Sequence, residues 1–413
     1  MKFYIETFGC KVNLYESNYI SEKLIEYGFD KTSDFKVADI VIINTCSVTH
    51  NADNKSAKFY RRVKRDNPSS FLVVCGCSSQ NDYKKYEGAN LILGNSNKNS
   101  LPDLIINNLE KKELIEINMP SCFSYDKMNI KSFFYTRAFV KIQDGCHNFC
   151  SYCIIPYLRG PLRFKEYNAI LKEVNDLVNN GYKEIVLTGI NTGTYKSNNK
   201  NLVDLINDLS KIEKLYRIRL SSIEITELKE DFMEMLKHNK KFSNHLHVPL
   251  QAGSNKVLKL MNRKYDLKYY ISKINEIRNI RSDISISTDI IVGHPGESEE
   301  DFLETIKTSK EVKFSKIHVF PYSNRIGTRA SKMDNQIDRE IIKNRSRELI
   351  TVGKKMEQEY NSRFLNQELE ILIEENKNGF SYGHTDNYIR LKIKDNLDVN
   401  TLHKLIVKND NLC

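Results

Sequence analysis

The chain has 413 residues, enough for two to four domains and a large core. Its 40% hydrophobic and 28% charged residues do not fit a disordered chain, and no stretch nears the roughly 18 apolar residues of a membrane span. Nine cysteines, an odd number scattered over a long chain, do not fit a secreted disulfide framework. With Glu6 where a signal peptide would be apolar, they point to the cytoplasm. The formal charge of +10 suits a polyanionic partner, and equally mere solubility.

Residues 2–8 alternate like a strand, and a helical pattern from Leu14 to Tyr27 stops at Gly28. Residues 38–44 hold the run Ile-Val-Ile-Ile, a short buried strand. A helix is expected over 51–65, a third strand at 71–74, a fourth near 91–93 and a helix over 98–109. This alternation predicts an open, mostly parallel α/β domain over residues 1–111. A cysteine follows each of the first three strands: Cys10, Cys46 and Cys77. Ligands of such sheets bind beyond the carboxyl ends of the strands, so these thiols are candidates for one metal cluster. The alternative is three buried apolar side chains. Cys75 reads as core, and Cys122 and Cys413 fit no pattern. On the helix after Cys46, Lys55, Lys58, Arg62 and Arg65 share one face, a phosphate-contacting stripe or a solvated basic surface.

Residues 112–131 read as a linker. From Arg137, strands are expected near 137–143, 184–189, 216–222, 245–250, 285–292 and 316–321. Helices fall between them, near 166–179, 201–210, 227–238, 266–280 and 299–312. The pattern predicts a partial (β/α)6 barrel over 132–363, with chemistry at the C-terminal strand ends. Directly after the first strand comes Cys146-His147-Asn148-Phe149-Cys150-Ser151-Tyr152-Cys153, a C-x3-C-x2-C run. A structural zinc site is closed by four ligands. Three thiolates on a four-iron cube would leave one iron open. The alternatives are a zinc loop with a distant fourth ligand, or three unrelated cysteines. One or two helices are expected over 334–363. Short strands punctuated by Gly379, Gly383 and Asn387 then predict a small antiparallel β-barrel over 364–413, of a kind that binds nucleic acid.

The C-x3-C-x2-C run, with Tyr152 before its last cysteine and a strand before the loop, resembles the signature of radical S-adenosylmethionine (SAM) enzymes. Thr7-Phe8-Gly9-Cys10-Lys11-Val12-Asn13, Asn44-Thr45-Cys46-Ser47-Val48-Thr49 and Gly76-Cys77-Ser78-Ser79-Gln80 resemble the three cysteine motifs of radical SAM methylthiotransferases. Gly383-His384-Thr385-Asp386-Asn387-Tyr388-Ile389 resembles the RNA-binding TRAM domain that closes these enzymes. The resemblance implies two 4Fe–4S clusters. Cys146, Cys150 and Cys153 would hold the catalytic one, whose open iron chelates SAM and reduces it to a 5′-deoxyadenosyl radical. Cys10, Cys46 and Cys77 would hold the second, which carries the sulfur to be transferred. SAM contacts are then expected at Thr188, Gly189, Asn191, Ser222, Glu224, Gln251 and Gly293, and RNA contacts at Lys55, Lys58, Arg62 and Arg65. His294 stands where the family has a bulky apolar residue and reads as a packed or exposed loop residue.

Gly9-Cys10-Lys11-Val12-Asn13 and Leu187-Thr188-Gly189-Ile190-Asn191 look most like the branch acting on N6-threonylcarbamoyladenosine at position 37 of tRNA. That implies methylthiolation of carbon 2, a tRNA anticodon stem-loop as partner, and an electron donor of unknown identity. Isopentenyladenosine in tRNA or an aspartate of a ribosomal protein would keep all six cysteines. A zinc-containing RNA-binding protein and an iron–sulfur electron carrier are the non-enzymatic alternatives.

Overall fold

The structure is a computed structural model that describes residues 1–109, 114–119 and 125–413. Among the described residues, six parallel strands form the first sheet, in the order Asp30–Lys31, Lys2–Thr7, Ile40–Thr45, Phe71–Gly76, Leu91–Leu93, Leu114–Glu116. The two central strands, Ile40–Thr45 and Phe71–Gly76, are buried throughout, which explains their unbroken apolar runs. Leu114–Glu116 lies inside the segment read as a linker, yet pairs with Leu91–Leu93. Three residues are too few to show a period. Cys122 and its neighbours 120–124 fall outside the described residues. The first helix, Lys11–Glu26, begins three residues before the apolar pattern does, with Cys10 at its N-cap.

The central strands form two parallel sheets. One is Ala138–Lys141, Glu184–Thr188 and Arg217–Leu220; the other is His245–His247, Ser285–Val292 and Lys316–Pro321. A parallel bridge between Ile218 and Phe242 joins them into one curved wall, strands in chain order. Helices Tyr167–Asn179, Leu202–Leu209, Glu230–His238, Leu267–Ile280 and Glu299–Val312 alternate with the strands. Each buries an apolar stripe, such as Ile170, Val174 and Leu177. The wall is a partial (β/α)6 barrel: no pairing joins the first and last strands among the described residues. Helix Lys11–Glu26 packs against the first barrel strand, and one apolar core runs from Phe3, Tyr15 and Ile20 into the barrel.

After the 24-residue helix Arg339–Ser362 come four antiparallel strands, ordered Arg390–Ile393, Phe380–Thr385, Glu368–Lys377, Leu402–Ile406. A bridge from Leu391 to Leu412 extends this small sheet. It has its own core of Ile371, Ile373, Leu391 and Val407. It docks on the barrel through Arg137 to Glu374 (3.0 Å) and through Arg219 Nη2 to the carbonyls of Thr385 (3.4 Å) and Asp386 (3.2 Å).

Candidate active site

The ends of strands Lys2–Thr7, Ile40–Thr45 and Phe71–Gly76 bring Cys10, Cys46 and Cys77 together. Gly9 has φ +102°, and a Cβ there would lie 2.5 Å from both Cβ and Sγ of Cys46. The absent side chain is what lets the first two cysteine loops meet. Gly76 (φ +110°) is equally constrained, since its Cβ would fall 2.5 Å from the Thr45 carbonyl. Asn13 Nδ2 ties the ends together by donating to the carbonyls of Phe8 (2.8 Å) and Thr45 (2.9 Å). Burial raises the Cys10 thiol, and Cys77 adds to the rise. Burial pushes Cys46 up to about 12, with Cys77 and Cys10 adding to it. Three thiols this close resist ionising together, and a bound metal relieves that cost. Asn95 Nδ2 lies 3.6 Å from Cys77 Sγ. Cys75 is wholly buried in the sheet core, as its place in the strand predicts.

The loop 146–153 gathers the second set. The Asn148 N–H reaches Cys146 Sγ at 3.5 Å, and Arg263 Nη1 donates to Cys150 Sγ at 3.3 Å. Burial, with Cys150 next, pushes Cys153 up to about 12. Behind the loop, His294 Nε2 lies 2.9 Å from Ser151 Oγ. His294 is fully buried, and burial lowers it to about 4, so it packs as a neutral ring. Helix Ile155–Arg159 follows Cys153, and its Leu158 packs with Ile154 on Cys77, so one short helix separates the two thiol sets. Arg159, fully buried and within electrostatic reach of Cys10 and Cys77, donates to Glu16 (3.1 Å), Asp144 (3.0 Å) and Asn13 Oδ1 (2.7 Å).

Among the described residues no three His, Cys, Asp or Glu side chains converge on a single metal ion. A cubane spreads its ligands over separate irons and needs no such convergence. Each three-thiol set has the donors that a 4Fe–4S cluster with one open iron would use. Beside them, Asn191 Oδ1 and Ser221 Oγ are buried without a partner at the barrel strand ends. Such atoms suit a polar cofactor.

A cavity of about 870 Å³ fills the barrel from Gly9, Cys10 and Lys11 past Thr188, Gly189 and Ser222 to Tyr388. Tyr388 (φ +65°) comes from the C-terminal sheet, its ring stacked on His245 (4.7 Å) and His384 (4.6 Å). The guanidinium carbons of Arg219 and Arg137 sit 4.6 and 5.1 Å from that ring.

The candidate SAM residues divide. Thr188, Gly189 and Ser222 line the cavity, and Asn191 carries the free Oδ1. Gln251 is left-handed (φ +69°) and its backbone pairs with Asp289 and Ile291. The Glu224 carboxylate is already held by Arg263. At Gly293 (φ +82°) a Cβ would lie 2.3 Å from Ile342 Cγ1, so the glycine lets helix Arg339–Ser362 pack close. Of the basic stripe, Lys55, Lys58, Arg62 and Arg65 are all exposed, but Arg62 (3.5 Å) and Arg65 (2.7 Å) share Asp66. The same helix abuts the barrel, where Asp53 meets Arg325 at 3.5 Å. Sequence reasoning missed Arg263, Asn95 and Arg159. Each reaches its thiol set from a remote segment, and no local spacing marks it.

Comparison with known proteins gives a consistent result. Residues 140–308 match the Radical SAM superfamily, and residues 2–93 match a family described as Uncharacterized protein family UPF0004. Threonylcarbamoyladenosine tRNA methylthiotransferase MtaB of Bacillus subtilis (strain 168) is 38% identical over 407 residues, covering 95% of this chain and 90% of that protein. The tRNA-2-methylthio-N(6)-dimethylallyladenosine synthase of Thermodesulfovibrio yellowstonii is 37% identical over 397 residues, covering 92% and 90%. Among solved structures, the radical S-adenosylmethionine methyltransferase TsrM of Kitasatospora setae shares the fold: TM-score 0.59, 13% identity, 78% of this chain and 74% of that one.

Proposed function

The chain belongs to the radical SAM family of tRNA methylthiotransferases, and from that premise we propose that it methylthiolates carbon 2 of N6-threonylcarbamoyladenosine at position 37 of tRNA. Two relatives of nearly equal identity carry names that differ in the group on N6: threonylcarbamoyl in one, dimethylallyl in the other. The first group bears a carboxylate and the second is apolar. The observation that carries the choice is the cavity beside Cys10, on whose wall Lys11 has no ion-pair partner among the described residues and Arg219 Nη1 has no hydrogen-bond partner. An apolar N6 group gains nothing from such a wall, whereas an anionic one does.

In this reading Cys146, Cys150 and Cys153 hold a 4Fe–4S cluster with SAM, and Cys10, Cys46 and Cys77 hold a second. The cluster with SAM supplies the radical chemistry that an unactivated aromatic C–H requires and that no side-chain acid or base provides. The protein's own part is ligation, orientation and exclusion of water. Arg263 fixes Cys150 and Glu224 together. Thr188, Gly189, Asn191 and Ser222 offer polar contacts to SAM at the strand ends. The target base is splayed out of the anticodon loop into the cavity, while Lys55, Lys58, Arg62 and Arg65 contact phosphates outside it. The C-terminal sheet acts as a TRAM-like RNA-binding module. The electron donor is a separate protein or reductant.

The test is nucleoside analysis of tRNA from cells lacking the chain. Loss of 2-methylthio-N6-threonylcarbamoyladenosine, with the unthiolated nucleoside accumulating, is expected. Persistence of that nucleoside with loss of the methylthio-isopentenyl nucleoside would overturn the assignment.

A further inference from the structure

The proposed substrate class leaves open which residue reads the N6 group. Five Lys and Arg side chains line the cavity among the described residues: Lys11, Arg137, Arg219, Lys316 and Arg390. Four of them are committed to carboxylates. Arg137 meets Glu374 at 3.0 Å, Arg219 meets Glu184 at 2.8 Å, Lys316 meets Glu357 at 2.9 Å and Arg390 meets Glu375 at 2.6 Å. The acid Asp289 on the same wall is taken by His247 at 3.2 Å. Lys11 alone of the five makes no ion pair and no side-chain hydrogen bond among the described residues. It is half-buried, and its ammonium lies within electrostatic reach of Tyr388, Arg137, Arg219 and Asp289.

Two features make this free ammonium more than a solvated side chain. Lys11 follows Cys10 directly and sits in the first turn of helix Lys11–Glu26, so the chain fixes its position relative to the Cys10, Cys46 and Cys77 set. Arg219 also has an unused donor: its side chain is almost fully buried, it lines the same cavity, and its Nη1 has no partner. A buried guanidinium nitrogen without an acceptor is costly unless a ligand supplies one. The cavity thus offers a free lysine ammonium and one unpartnered guanidinium N–H beside the thiols, while the carboxylate within reach of Lys11, Asp289, is held by His247.

We propose that Lys11, together with the free Nη1 of Arg219, forms the subsite that takes the carboxylate of the N6 side chain and so selects the substrate. This rests on the reading of the chain as a methylthiotransferase for an anionic N6-modified adenosine. Lys11 is then a specificity residue: it holds the far end of the N6 group while carbon 2 of the ring is presented to the Cys10, Cys46 and Cys77 set.

The experiment measures binding of anaerobically reconstituted holoprotein to three labelled anticodon stem-loops by fluorescence anisotropy. Position 37 carries the threonylcarbamoyl group, its carboxamide analogue, or the dimethylallyl group. Wild-type protein is expected to favour the carboxylate over the carboxamide by about 10- to 100-fold, the effect of removing a charge-assisted hydrogen bond from a desolvated site. Lys11→Gln should bind these two alike, with the iron content of the wild type, and Lys11→Arg should keep the preference. The inference is overturned if Lys11→Gln retains the wild-type preference. It is equally overturned if the wild type favours threonylcarbamoyl over dimethylallyl yet treats carboxylate and carboxamide alike, a result that leaves the substrate assignment standing. Absence of any wild-type preference for threonylcarbamoyl over dimethylallyl overturns the substrate assignment itself. The carboxamide arm needs no variant, so a folding defect in Lys11→Gln does not blunt the test.

Discussion

Gly9 carries more of the site than any polar residue near it. The left-handed backbone there and the 2.5 Å approach of Cys46 leave no room for a methyl group. Gly9→Ala is therefore expected to push Cys46 away from Cys10 and Cys77 while leaving the loop 146–153 untouched. Iron analysis after anaerobic reconstitution should fall from about eight to about four per chain. Retention of all the iron would show that the three strand-end thiols do not act together. The glycines also mark the limit of sequence reading. Gly9 and Gly76 stand out because each precedes a cysteine at a strand end. Gly293 follows a barrel strand in the same way, yet its neighbour is Ile342, from a helix far along the chain. A glycine reports that something comes close. Only the packed chain tells whether that is a ligand or a helix.

The barrel strands show how charge is managed around the cavity. Glu184 opens the second barrel strand and is buried among Arg219 (2.8 Å), Arg217 (3.3 Å) and Arg137 (3.9 Å). Burial alone would raise its carboxyl, but Arg219, Arg137 and Arg217 overcome this and hold it down at about 2. The unfolded chain therefore takes up a proton near pH 4.5 that the folded chain refuses until about pH 2. Glu184 contributes stability that is fully present above that range and is lost as the pH falls through it. Glu184→Gln should cost about 3–5 kcal/mol in denaturant unfolding near neutrality, because it strands buried guanidinium groups. The difference from wild type should shrink as the pH is lowered from 4.5 towards 2. A pH-independent difference would contradict this reading of the network. Whole elements are largely legible in the sequence: the helix at 299–312 and the strands at 285–292 and 316–321 have the bounds that the sequence pattern predicts. Asp30–Lys31 and Leu114–Glu116 are not, being too short to carry a pattern and held in place by their neighbours. Arg263 and Arg159 escape for a related reason, since each serves a thiol set that another segment supplies.

At the scale of the whole molecule, three modules surround one cavity. The first sheet supplies Cys10 and Lys11, the barrel supplies the walls, and the C-terminal sheet closes the far end with Tyr388. In the proposed reading the RNA backbone lies outside this enclosure, where Lys55 and Lys58 are exposed and free of ion pairs among the described residues. Lys55→Ala/Lys58→Ala is expected to weaken stem-loop binding equally for every group at position 37. It should also lower the slope of log affinity against log salt by about 1–2. That uniform loss is opposite in kind to the selective loss expected at Lys11. An unchanged salt slope would remove the helix from the RNA interface.

The division of labour between the two thiol sets is tested most directly by one assay. Reconstituted protein is incubated with SAM, a reductant and a threonylcarbamoylated anticodon stem-loop, and both the RNA product and 5′-deoxyadenosine are quantified. Wild-type protein should form the 2-methylthio nucleoside. The Cys10→Ala/Cys46→Ala/Cys77→Ala variant should still release 5′-deoxyadenosine from SAM through Cys146, Cys150 and Cys153, but add no methylthio group. Methylthiolation by that variant, or its failure to cleave SAM while wild-type iron remains on the loop 146–153, would contradict the separation of roles.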